Sequence, residues 1–151
     1  MTLPKPLLKQ HIWVLVCDGK KALLLQNAGD HVYPKLETRH VMEHSLPKSG
    51  DIASDAPGRA FSSAGTRRSA VDEGDPHLED EIVFLRNVMD DVERRVSAGE
   101  IADLLLIAPP RALGIVRNME SKRLSKVTRA ELSHDYVKLP LHEIEKHLQN
   151  I

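Results

Sequence analysis

Three arginines, three serines and two glycines crowd into residues 57–70, PGRAFSSAGTRRSA, with no acidic side chain among them. That mixture suits two kinds of chemistry. Backbone N–H groups beside glycine and serine can approach a phosphate closely, and Arg59, Arg67 and Arg68 supply planar donors for its oxygens. Alternatively, Ser62 or Ser63 could attack an ester or phosphoester, with His77 as base and Asp75 orienting it. The second reading lacks a Gly-x-Ser-x-Gly elbow or any other recognised triad pattern. Asp75-Pro76-His77 is explained more simply as helix-start chemistry followed by a surface histidine. Phosphate or RNA contact is therefore the favoured use of the segment, with catalysis through Ser62, Ser63 and His77 the weaker alternative.

A second basic stretch, 111–129, holds Arg111, Arg117, Lys122, Arg123, Lys126 and Arg129 against Glu120 alone. Residues 72–93 are the reverse, with nine acids and one arginine. A net charge of −1 thus conceals a segregated surface whose basic side could track an RNA backbone. Arg111 follows the apolar run 104–108 and a Pro-Pro pair, so it sits where a strand ends and a helix begins. Ligands of open α/β sheets gather at that edge, and Arg59 could join Arg111 there; local pairing at the helix start is the competing reading.

Other candidates carry less. Asp18 ends the first strand, as a metal-binding carboxylate of a nuclease would, with Glu79 and Glu81 available on the following helix. The strand end at 107–110 offers no further carboxylate, and Asp18-Gly19 reads as hairpin chemistry. His40 and His44 are four apart, a metal spacing only on a helix, whereas their setting is a strand end. Cys17 reads as a buried strand residue. No metal and no cofactor are implied.

The elements that must position these groups are well patterned. Residues 12–17 (IWVLVC) and 22–26 (ALLLQ) are short apolar runs separated by Asp-Gly, which predicts a hairpin, and 35–43 adds a third, half-exposed strand. The pattern dissolves over 45–77, which holds four of the eight glycines and six serines and is expected to be a long, mobile loop. Leu78, Ile82, Leu85, Met89, Val92 and Val96 then form one helical stripe ending near Gly99, with Asp90, Asp91, Glu93, Arg94 and Arg95 on a solvated outer face. A buried strand at 104–108, a helix at 111–119, a strand at 127–132 and a helix from Pro140 complete the order β-β-β-loop-α-β-α-β-α. The most economical arrangement is a single α/β domain over 1–151. It has one mixed five-stranded sheet in the ribonuclease-H-like order 3-2-1-4-5, with flanking helices.

Composition agrees with one ordinary globular core, at 41% apolar and 28% charged residues over 151 positions. Aromatics are only 3%, so aliphatic side chains must build that core. A single cysteine excludes an internal disulfide framework and fits a reducing cytoplasm. The apolar run near the N-terminus is too short for an export signal or a membrane span, so a cytoplasmic protein without membrane contact is expected.

The phrases WVLVCDGKKA, GRAFSSAG, DPH, IAPPRALGIVR and LPLHEIEKHL occur in this order at suitable spacing. Together they resemble the bacterial host-attachment protein family, over essentially 13–148. That family is similar to the central domain of archaeal and eukaryotic peptide-chain release factors. There a strand meander precedes a loop bearing Gly-Gly-Gln and then a long helix. The resemblance places 57–70 at the position of that working loop and implies a ribosome- or tRNA-related history. This sequence has no Gly-Gly-Gln, and its nearest local feature is Ser62-Ser63-Ala64-Gly65, so the hydrolytic residues are not carried over. The expected function is a binding module for tRNA, rRNA or the ribosome, with Arg59, Arg67, Arg68, Arg111, Arg117, Lys122, Arg123 and Lys126 as anion contacts. A hydrolase, or a protein-interaction factor that affects attachment indirectly, are the alternatives; oligomeric state is left open.

Overall fold

A computed structural model describes residues 7–44 and 76–150. Five strands form one sheet in the order β3-β2-β1-β4-β5, as the sequence pattern predicts. They are β1 (Trp13–Cys17), β2 (Lys21–Asn27), β3 (Leu36–Glu43), β4 (Leu104–Ala108) and β5 (Thr128–Ser133). β1 and β2 are antiparallel, as are β2 and β3, whereas β4 lies parallel to both β1 and β5. The central strands β1 and β4 are buried at every position, which is why both read as unbroken apolar runs.

Side chains alternate between two apolar layers. Trp13, Leu15 and Cys17 of β1 and Leu104, Leu106 and Ala108 of β4 face one layer. That layer is roofed by α1 (Pro76–Ser97), α2 (Pro110–Arg117) and α3 (Lys122–Val127). Val14, Val16, Leu105 and Ile107 point the other way, against Leu8, Ile12 and Val137 and against Ile144 and Leu148 of α4 (Leu141–Gln149). No helix among the described residues is long and apolar enough to cross a membrane.

Helix α1 follows its predicted stripe, with Leu85, Met89, Val92 and Val96 buried. It stops at Gly99, whose φ of 82° is the left-handed cap conformation. Two features depart from the sequence reading. Residues 122–127 form a short helix with Ser121 as N-cap, its Oγ accepting from Leu124 N at 3.0 Å. Its single buried apolar residue, Leu124, gives too little periodicity to announce a helix. The outer face of α1 is not simply solvated: Asp91 is buried and pairs with Arg94 and with Arg95, the latter at 2.8 Å. Arg95 reaches on to Glu100 at 3.2 Å, tying the cap to the helix. Pro76 and His77 open α1, as the helix-start reading of Asp75-Pro76-His77 expects, and residues 45–75 lie outside the described residues.

Among the described residues, Asn27 is the other buried polar side chain of the core. Its Nδ2 donates to the carbonyls of Leu8, Lys9 and Asp30 at 3.1, 3.1 and 3.2 Å. Its Oδ1 accepts from Gly29 N at 3.0 Å and Lys35 N at 2.8 Å. One amide thus splices the N-terminal segment to the β2–β3 turn.

Candidate functional site

The sheet presents two edges, and the topology decides which charged groups share one. At the carboxyl ends of β1 and β4, the hairpin turn meets the helix starts. Asp18 Oδ1 accepts from Lys20 N and Lys21 N, both at 2.8 Å, so this carboxylate builds the turn. Gly19 lies directly under Glu81: a Cβ at Gly19 would come within 2.5 Å of Glu81 Cγ. Glu81, in turn, meets Arg111 Nε at 3.1 Å. Gly19, Glu81 and Arg111 therefore clamp the hairpin, α1 and α2 together at this edge. His77 is exposed in the first turn of α1. Nearby, His134 N donates to Ala108 O at 3.0 Å, which brings the end of β5 to the same edge.

The second basic stretch runs from one end of β4 to the other. Arg111 follows the carboxyl end of β4, whereas Thr128, just after α3, pairs with Leu104 at its amino end. At about 3.3 Å per step, the rise from Leu104 to Ala108 puts roughly 13 Å between the two ends of β4. Besides Arg111, which meets Glu81, two more of the cations are engaged. Arg117 Nε holds Glu131 at 2.7 Å. Arg129 pairs with Asp103, which Lys9 also approaches at 3.2 Å. Arg129 sits where the β4–β5 register slips by a residue, and the irregularity aims its guanidinium at Asp103. Although burial raises the Asp103 pKa, the bonds from Arg129 and Lys9 outweigh it and hold the carboxyl below its ordinary range.

What remains is concentrated on α3. Lys122 and Lys126 are exposed and make no ion pair among the described residues. Arg123 donates to Ser97 Oγ at the end of α1, and Ser121 donates to Glu93, so α3 is docked firmly onto α1. The helix is thus a fixed platform for three cations, capped at Ser121 and anchored by Leu124.

A cavity of about 400 Å³ opens between the end of β3 and α1, lined by Met42, His44, Val83, Phe84, Asn87 and Val88. The His44 ring stacks on Phe84 at 5.7 Å and 20°. Sequence reading missed this cavity because its walls come from residues about 40 apart, none unusual alone. It lies where the α1 roof ends over the β2–β3 side of the sheet. Cys17 is sealed in the core, and burial first, with Asp18 second, pushes its thiol up to about 12, which makes it a packing residue. Among the described residues no three histidine, cysteine or acidic side chains converge as a metal site would need. Arg59, Ser62, Ser63, Arg67, Arg68 and Asp75 lie outside the described residues.

Comparison with known proteins supplies the relationship. Residues 11–148 match bacterial archaeo-eukaryotic release factor family 12. A solved structure described as an archaeal protein aligns over 92% of this chain at 13% identity, with a TM-score of 0.43. The alignment spans only 36% of that protein's length. No curated protein matches the sequence. The family match runs from just before β1 into the last turn of α4, agreeing with the release-factor likeness of the quoted phrases, and on this ground the chain belongs to the bacterial archaeo-eukaryotic release factor family.

Proposed function

We propose that this chain acts as a single-domain, non-catalytic RNA- or ribosome-associated binding module in the cytoplasm. Its phosphate contacts come from Lys122, Arg123 and Lys126 on α3 and from Arg59, Arg67 and Arg68 in the 57–70 segment. The observation that carries this reading is the α3 platform, where Lys122 and Lys126 stay exposed and, among the described residues, out of ion pairs while Arg117 and Arg129 are paired. Membership in a release-factor family supports a translational partner for that surface. Arg111 and Arg117 serve this function less directly, because each also holds a carboxylate of its own chain. A phosphate backbone on such a surface displaces condensed counterions, so affinity must fall steeply with salt.

The test is binding of the purified protein to tRNA and to ribosomes across a salt series. Among the described residues neither Lys122 nor Lys126 has a side-chain partner, so the double variant K122A/K126A should keep the fold intact. It should flatten the slope of log K against log[salt] by about 1.5–2. Absence of RNA and ribosome binding at low salt refutes the proposal. Turnover of ester or phosphoester substrates that disappears in S62A, S63A or H77A would instead establish a hydrolase.

A further inference from the structure

The basic stretch contains one acid, Glu120, and its surroundings do not suit a carboxylate. It lies in the connection between α2 and α3, half-buried as a residue. Its Oε2 is sealed from solvent and, among the described residues, has no hydrogen-bond donor. Its Oε1 receives a single long bond, from Ser125 Oγ on α3 at 3.4 Å. The nearest guanidinium, Arg117 on α2, is bound to a different acid, holding Glu131 Oε1 at 2.7 Å. Glu131 comes up from β5 and is the carboxyl that Glu120 meets. The other ionisable groups around the connection are turned elsewhere. Glu93 on α1 takes the Ser121 hydroxyl, Arg123 takes Ser97, and Lys122 and Lys126 face solvent. β4 contributes only apolar side chains to this region.

An ionised carboxylate with a sealed, donor-free oxygen beside a second carboxylate is strongly disfavoured, whereas a carboxylic acid in the same place resolves both problems. The acid proton turns one acceptor into a donor, and Glu131, kept ionised by Arg117, is the acceptor in reach. We infer that Glu120 and Glu131 share one proton in the folded protein and that this proton latches the α2–α3 connection onto β5, making a pH-sensitive fastening beneath the α3 platform.

The titration of the pair agrees in direction. Burial first, then the bond and charge of Glu131, push Glu120 up to about 7, while Glu131, bonded first by Glu120 and also by Arg117, moves down. The sign follows from linkage. Glu120 is raised in the folded state, so its stabilising contribution is full below its unfolded value, near 4.5, and is lost as pH rises toward 7. Glu131 is lowered, so its contribution disappears only as pH falls below the ordinary glutamate range, in a separate window. Raising the pH through neutrality therefore places a second negative charge against Glu131 and loosens the latch. It also adds an anion next to α3, which Glu120 meets through Ser125.

The experiment compares denaturant unfolding of the wild-type chain and E120Q from pH 5 to 8, together with carboxyl-carbon NMR titration of the glutamates. Glutamine keeps the shape and the donor without ionising. The unfolding constant of the wild type relative to E120Q should rise with pH, approaching about tenfold per unit in the steepest part of the window, and level off above 7. One glutamate should titrate near neutrality and vanish from the E120Q spectrum. E131Q, which removes the like charge, should move that titration back toward the ordinary range. Parallel stability profiles, or every glutamate titrating below pH 6, would overturn the inference. Neither readout involves RNA, so failure here leaves the binding proposal standing, and the reverse holds too.

Discussion

Replacing Asn27 with alanine removes a single side chain that satisfies backbone groups from three segments. Its amide supplies two N–H donors, shared among the carbonyls of Leu8, Lys9 and Asp30, and one oxygen that accepts from Gly29 and Lys35. Four hydrogens are therefore in play. At about 1 kcal/mol net for each bond, Asn27→Ala should cost about 4 kcal/mol. Carbonyls with a second lone pair tolerate the loss better than buried N–H groups, so about 3 kcal/mol is a fair lower bound. Asn27→Asp separates the two halves of the site: it keeps the acceptor for Gly29 and Lys35 but turns a carboxylate oxygen toward three carbonyls. Repulsion raises that carboxyl's pKa, so N27D should be unstable at neutral pH and recover as pH falls through its raised folded value. The only tryptophan, Trp13, is buried in β1 and reports unfolding directly in a denaturant titration. A loss below about 1 kcal/mol for N27A, or an N27D variant insensitive to pH, would show that the splice contributes little to the native state.

Gly19→Ala should dislodge Glu81 from its place over the turn and break the pair with Arg111, costing about 1 kcal/mol. In an E81A background the same change should be nearly neutral, and a double-mutant cycle by thermal unfolding measures the difference. Cys17 should resist alkylation in the native protein at pH 8 and react fully once denaturant is added, as intact-mass spectrometry would read out.

The sheet was legible because its strands advertise themselves locally. Residues 13–17 and 104–108 are apolar on both faces, Asp18-Gly19 marks the hairpin, and the spacing from Leu78 to Val96 describes one helix face. Strand order followed from economy of connection rather than from any residue. α3 was not legible, since a six-residue helix held by Ser121, Leu124 and contacts to α1 carries its signal in tertiary structure. Asn27 looks like a turn residue because nothing local reveals that its amide reaches back to Leu8 and Lys9. The Glu120–Glu131 contact depends on two residues eleven positions apart being folded together by α3 and β5, and charge counting recorded Glu120 only as a minor deduction from a basic stretch. Where the charges of 111–129 emerge was likewise not legible: a sequence gives the sign of a charge but not the end of the strand at which it sits, and Arg111 follows one end of β4 while Thr128 pairs at the other.

The mixed sheet also sets the order in which the chain can assemble. β1 meets β2 across a tight turn, and β3 folds back onto β2 soon after, so the antiparallel half closes from contacts near in sequence. The parallel half does not: Trp13 must find Leu104, about 90 positions away, before β5 has an edge to join. Until that capture, the free side of β1 displays WVLVC with unpaired backbone groups and apolar side chains on both faces. Such an edge is a template for pairing with other chains. The non-local docking of β4 is therefore expected to be slow, and to be the interval in which the chain is most exposed to aggregation.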